Sequence, residues 1–176
     1  YSFDVTPAAD GAVTVDIAAD AATDAAGNGT VAATQLSVTA DETAPNLSST
    51  TPAHNATDVA VGSNIELTFS EPVYADTGSI YIIKISNGLT IVESFDVATS
   101  GAIGGSGTST ITIDPSSDLE GETEYYVEMD ATAFDDAAGN SYAGISGNTT
   151  LSFTTVDITA PTVALTSDAT DPQSGL

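Results

Sequence analysis

Apolar and polar residues alternate in short runs along much of this chain. Ile65, Leu67 and Phe69 alternate with Glu66, Thr68 and Ser70, and Ile111 and Ile113 alternate with Thr110, Thr112 and Asp114. A period of two puts one strand face in a core and the other in water. No stretch holds a 3.6-residue period long enough to predict a helix. The pattern predicts seven strands, over 57–61, 64–70, 79–85, 90–96, 108–114, 124–129 and 149–155. Asn87-Gly88 between two apolar runs predicts a hairpin turn, and the stretch 101–107, rich in glycine, reads as a connecting loop. Strands of this number and spacing suit an all-β Greek-key sandwich.

The same patterns recur. Val15-Asp16-Ile17 and Thr23-Asp24-Ala25-Ala26-Gly27-Asn28 return as Val127-Glu128-Met129 and Asp135-Asp136-Ala137-Ala138-Gly139-Asn140, 112 residues later in both cases. Asp41-Glu42-Thr43-Ala44-Pro45 returns as Asp157-Ile158-Thr159-Ala160-Pro161 after 116 residues, and Pro7-Ala8-Ala9-Asp10 as Pro115-Ser116-Ser117-Asp118 after 108. A module is thus about 115 residues, an ordinary size for a sandwich domain. In this register 41–156 is a complete module, 1–40 the C-terminal half of a preceding one, and 157–176 the start of a following one. Neither end piece can bury a sheet face alone. Each is expected to be disordered, packed on the central module, or completed head to tail by another molecule.

Composition narrows the function classes. The chain has 176 residues with one Lys or Arg against 25 Asp and Glu, a net charge of −24, and 41% hydrophobic but only 6% aromatic residues. Such a surface repels a phosphate backbone, so nucleic acid is excluded as a partner. The charge also implies divalent cations or high salt in the working medium, with calcium the natural candidate. There is no cysteine, hence no disulfide, thiolate metal site or cysteine nucleophile. The longest apolar runs, such as 80–83, are too short to cross a bilayer.

Thr51-Pro52-Ala53, Asp58-Val59-Ala60-Val61, Phe69-Ser70-Glu71-Pro72-Val73, 119–125 and 136–140 together resemble the bacterial immunoglobulin-like repeats of large surface adhesins, the sub-type also found in S-layer proteins being closest. The resemblance covers about 41–156. It implies an immunoglobulin-like sandwich, an extracellular or cell-surface extender module, no catalysis, and calcium at module junctions. Tyr125 and Tyr126, after Leu119-Glu120-Gly121-Glu122-Thr123, resemble the corner where a tyrosine hydroxyl returns to the backbone at the start of the sixth strand.

In such a sandwich three acidic segments converge at one pole: the linker with Asp41 and Glu42, the turn with Glu71, and the loop with Asp135, Asp136 and Asn140. Several loop carboxylates at one point supply the oxygens calcium takes. Asn140 either gives an amide oxygen or caps the turn, and Asp-Ala-Ala-Gly-Asn is equally a metal-free Asx turn. By repeat logic Asp24 and Asn28 play this part in the preceding module, and Asp157 is the linker acid of the following one. Neither the EF-hand pattern nor glycine-rich nonapeptides are present.

Other residues read as structural. His54, the one histidine, is a turn residue without partners for a triad. Lys84 lies in a strand, as an ion pair or an isopeptide donor. Tyr74, Tyr81 and Tyr142 form a sugar-binding patch only if exposed together. A glycosidase reading fails for want of a cleft that splits two carboxyl pKa values. The alternatives to a calcium-stiffened extender are a ligand- or carbohydrate-binding accessory module of a secreted enzyme, and a salt-adapted S-layer module without specific metal.

Overall fold

The structure, a computed structural model, describes residues 4–86 and 88–165. Regular structure among them is entirely β. In chain order the strands are β1 (Gly11–Val15), β2 (Leu36–Ala40), β3 (Leu47–Thr51), β4 (Ala56–Val59), β5 (Ile65–Ala75), β6 (Ser79–Ser86), β7 (Gly88–Asp96), β8 (Ile103–Gly104), β9 (Thr108–Ile113), β10 (Glu124–Met129), β11 (Phe134–Asp135) and β12 (Ser152–Thr155).

From β3 onward the strands form an immunoglobulin-like sandwich. One sheet runs β4-β12-β10-β6-β7, and the other β11-β5-β9-β8 with β3 also on β5. The chain changes sheets between β3, antiparallel to β5, and β4, parallel to β12. Alternation dictates which side chains fill the core: Ile65, Leu67, Phe69 and Val73 of β5 and Ile111 and Ile113 of β9 meet Ile80, Ile82, Tyr125, Val127 and Phe153 of the other sheet. Phe69 stacks edge-on against Tyr142 with centroids 5.2 Å apart. Tyr125 is fully buried, and its hydroxyl accepts the Glu120 N–H at 3.0 Å, closing the tyrosine corner.

Each of the seven expected strands overlaps an observed one, and the differences have local causes. β3 was not expected because Leu-Ser-Ser-Thr-Thr carries one apolar residue; pairing with β5 makes it a strand. β8 falls inside the expected connector, where Ile103 pairs with Ile113. β11 is two residues long, too short for any period. β5 runs on through Pro72, which cannot donate to a ladder, and the β5–β9 register shifts between Thr68 and Val73. Ser86 pairs with Gly88; Asn87 of the expected turn lies outside the described residues, as do 166–176 of the C-terminal piece. Residues 157–165 form no strand.

Residues 4–40 are not merely irregular. β1 and β2 form a separate two-stranded antiparallel sheet in which Val13 faces Val38. In the sandwich, β10 and β12 pair with Tyr125 facing Phe153. Val13 precedes Tyr125 by 112 residues, and Leu36-Ser37-Val38 precedes Leu151-Ser152-Phe153 by 115. The short bridges Thr23–Gly29 and Asp135–Ser141 recur at the same offset of 112.

Candidate metal centre

Asp136 follows β11, whose pairing with the far end of β5 (Phe134 to Ala75, Asp135 to Tyr74) sets it beside Glu71. The turn it opens is built locally. Its Oδ1 accepts the N–H groups of Ala138 and Asn140, both at 2.8 Å, and its Oδ2 accepts the Asn140 side-chain amide, also at 2.8 Å. Gly139 takes a φ of +93°, a conformation that side chains disfavour. The Asn140 amide also donates to the Asp41 carbonyl at 3.1 Å, tying the turn to the linker. Asn140 is thus placed as the lock between loop and linker.

Glu71 sits where a hydrophobic residue would be expected. Exposure alternates along β5, and Glu71 shares the inward phase of Ile65, Leu67, Phe69 and Val73. It is half-buried as a result. The linker is held beside it by a reciprocal pair: Ser70 N donates to the Asn46 carbonyl at 2.8 Å, and Asn46 N to Ser70 Oγ at 3.0 Å. Pro45 next to Asn46 is buried.

These placements bring one carboxylate oxygen from each of Asp41, Glu71 and Asp136 within 4.8 Å of one another. Asp136 is 5% exposed, Glu71 half-buried and Asp41 exposed. A fourth acid, which the sequence reading missed, stands close: Asp10 accepts the Glu42 N–H at 2.6 Å and the Thr43 hydroxyl. It lies just before Gly11, which pairs with Ala40, so the β1–β2 register sets it opposite Asp41. That register was the only signal for it.

The electrostatics follow. Burial pushes the Glu71 carboxyl above its ordinary range, and the charges of Asp136, Asp41 and Asp10 push it further. For Asp136 burial is the largest influence and acts upward, but the hydrogen bonds from Asn140, Ala138 and Gly139 outweigh it and hold the carboxyl below its usual value. The Thr43 hydroxyl and Glu42 N–H likewise hold Asp10 low, against burial and the like charge of Asp136. No cationic side chain offsets this group. The single Lys or Arg of the chain, Lys84, pairs with Glu120.

The remaining expected ligands lie elsewhere or face differently. Glu42 reaches the site through its N–H, and Asp135 is outside the gathered three, its Oδ1 buried without a hydrogen-bond partner. Asp24 and Asn28 reproduce the Asp136 turn: Asp24 Oδ1 accepts Ala26 N and Asn28 N at 2.9 Å, and Oδ2 the Asn28 amide at 2.9 Å. There the turn is fully exposed, and the Asn28 amide and N–H hold Asp24 low. Asp157 accepts Thr159 N at 2.7 Å, as Asp41 accepts Thr43 N at 3.1 Å.

His54 Nδ1 meets Ser152 N at 3.2 Å, a structural contact between the β3–β4 connection and β12. Tyr142 is buried and Tyr81 half-buried, so of the three tyrosines only Tyr74 is exposed and they form no shared exposed patch. No helix among the described residues is long and apolar enough to cross a membrane.

No curated protein matches the sequence. Among solved structures, CopC from Methylosinus trichosporium OB3b aligns at a TM-score of 0.47 and 18% identity, over 67% of this chain and 99% of that one. The sequence profile of the bacterial Ig-like domain matches residues 41–155. That span contains both sheets of the sandwich and all three gathered carboxylates, and the chain belongs to the bacterial Ig-like domain family.

Proposed function

We propose that this chain is a non-catalytic extracellular extender of the adhesin or S-layer type, its modules set head to tail, with calcium held at the linker pole. The observation that carries the reading is the Asp41, Glu71 and Asp136 cluster, whose oxygens lie within 4.8 Å of one another. Ligands at about 2.3–2.6 Å from one calcium ion lie at most about 5 Å apart, so the spacing fits. The donor set fits as well, being carboxylates with main-chain carbonyls nearby. Calcium would add a charge of +2 where the chain supplies only negative ones.

What the residues do mechanically follows from where they sit. Asp41 belongs to the linker, Glu71 to the sheet and Asp136 to a loop locked by Asn140. An ion shared by the three holds the linker against the sandwich. Pro45 already restricts the backbone there, and Asp10 brings the preceding hairpin to the same point. A stalk built this way is stiff with calcium and flexes without it.

The test is a thermal melt at fixed ionic strength, with calcium in excess and with a chelator. Saturation at a hundred times the dissociation constant adds about 2.7 kcal/mol, a rise of several degrees. Coincident melts would reduce the chain to an acidic spacer without specific metal.

A further inference from the structure

The β1–β2 hairpin carries one apolar and one polar face. Directly paired residues share a face, so Val13, Val15, Leu36, Val38 and Ala40 lie together, while Thr14, Ser37, Thr39 and Ala12 lie opposite. Both faces are open to solvent, and the apolar one is covered only in part: Val13, Val15 and Ala40 are half-buried, while Leu36 is 60% and Val38 54% exposed.

The molecule itself shows what such a face is for. Carried over by the shared register, Val13, Val15, Leu36 and Val38 correspond to Tyr125, Val127, Leu151 and Phe153 of the sandwich. Those four are at most 2% exposed. They are covered by β5 and β9 of the facing sheet and flanked by β6, which pairs along the other edge of β10. The hairpin has the same paired strands, the same Asx turn and the same bridge, and the described residues before Leu47 hold no counterpart of β3–β9 or of β11.

We infer that the apolar face of the β1–β2 hairpin docks the first half of another module of the same kind, supplied by a segment N-terminal to it in the same polypeptide. β1 takes a strand equivalent to β6 along its free edge, and Val13 and Val38 face strands equivalent to β5 and β9. Sequence continuity supports the source in the same chain, because the match extends back through Pro7-Ala8-Ala9-Asp10 to Pro115-Ser116-Ser117-Asp118, the run that follows β9. Charge argues against two hairpins closing on each other, since each chain carries −24. The inference rests on reading residues 1–40 as the second half of a module.

The experiment compares the chain with a version in which a copy of residues 41–114 is joined directly before Pro7, following amide hydrogen exchange. A second version also carries Val13→Tyr and Val38→Phe, restoring the volumes of Tyr125 and Phe153 in case the smaller residues leave the new core underfilled. Exchange of the β1 and β2 amides is expected to slow by about a hundredfold or more in at least one extended version, approaching that of β10. Unchanged hairpin exchange in both versions overturns the inference. So does a dimer of the unextended chain with its hairpin already protected, which assigns the face to a second copy. The calcium reading is tested by the calcium-dependent melting of the unextended chain, so either can fail without the other.

Discussion

Replacing Glu71 with glutamine should stabilise the chain without calcium and halve the stabilisation that calcium adds. Glu71 lies within 4.8 Å of the carboxylate oxygens of Asp41 and Asp136. Two like charges at that distance repel by about 1 kcal/mol in water-like surroundings and about 3.5 kcal/mol at an effective dielectric of 20. Glu71 is only half-buried, so the lower figure applies, and glutamine keeps its shape. In chelator, Glu71→Gln should therefore stabilise the sandwich by about 1 kcal/mol, or about 3–5 °C for a module of this size. With calcium the same change removes one of three charged ligands. A tenfold loss of affinity, about 1.4 kcal/mol, cuts the calcium-induced gain at the wild-type saturating concentration from about 2.7 to about 1.4 kcal/mol. Differential scanning calorimetry at fixed ionic strength reads both numbers. A lower midpoint in chelator would refute the reasoning, because the Glu71 carboxylate would then be making a stabilising contact rather than suffering repulsion.

Other outcomes follow from the same geometry. Asp136→Ala removes the acceptor of three hydrogen bonds at a residue 5% exposed and should cost about 2–4 kcal/mol in urea unfolding, whereas Asp24→Ala, at the exposed twin turn, should leave the sandwich midpoint where it was. Tyr125→Phe deletes the acceptor of the Glu120 N–H and should cost about 1–2 kcal/mol while leaving the calcium shift unchanged. The pH profile in chelator should have two limbs. Asp136, held below its ordinary 3.8, contributes stability above that value that is lost as pH falls through its lowered folded value; Glu71, raised above 4.5, contributes stability below that value that is lost as pH rises through its raised one. Glu71→Gln should flatten the second limb alone, as denaturation midpoints against pH would show.

The sandwich was legible because its strands alternate cleanly: Ile65, Leu67 and Phe69 announce β5, and Ile111 and Ile113 announce β9. What the pattern missed were segments made strands by their neighbours. Leu47–Thr51 has one apolar residue, and Phe134–Asp135 is shorter than any period. The site shows the same division. The acids could be named from the sequence, and Glu71 carries a legible signal, a charged residue on the apolar phase of a strand. Which acids meet depended on the β11–β5 pairing and on the Ser70–Asn46 tie, both tertiary. Glu42 is next to Asp41 yet serves through its N–H, and Asp10 enters only through the hairpin register.

The twin turns separate what the local sequence builds from what the fold adds. Asp24 and Asp136 accept the same hydrogen bonds from residues two and four positions on, so the Asp-Ala-Ala-Gly-Asn segment closes its turn unaided. A turn of this kind needs no ion, and Asp24 shows it standing in solvent without neighbours. At Asp136 the fold adds three things: burial, a linker carbonyl on the Asn140 amide, and a strand that delivers Glu71 on its inward phase. Two of these raise the cost of negative charge; at Asp136 the turn's hydrogen bonds outweigh burial, whereas at Glu71 burial and the neighbouring acids leave the carboxyl raised. The metal hypothesis therefore stands on Glu71 rather than on the turn, because a half-buried carboxylate with three acids around it and no basic side chain is the one feature the Asx turn does not explain.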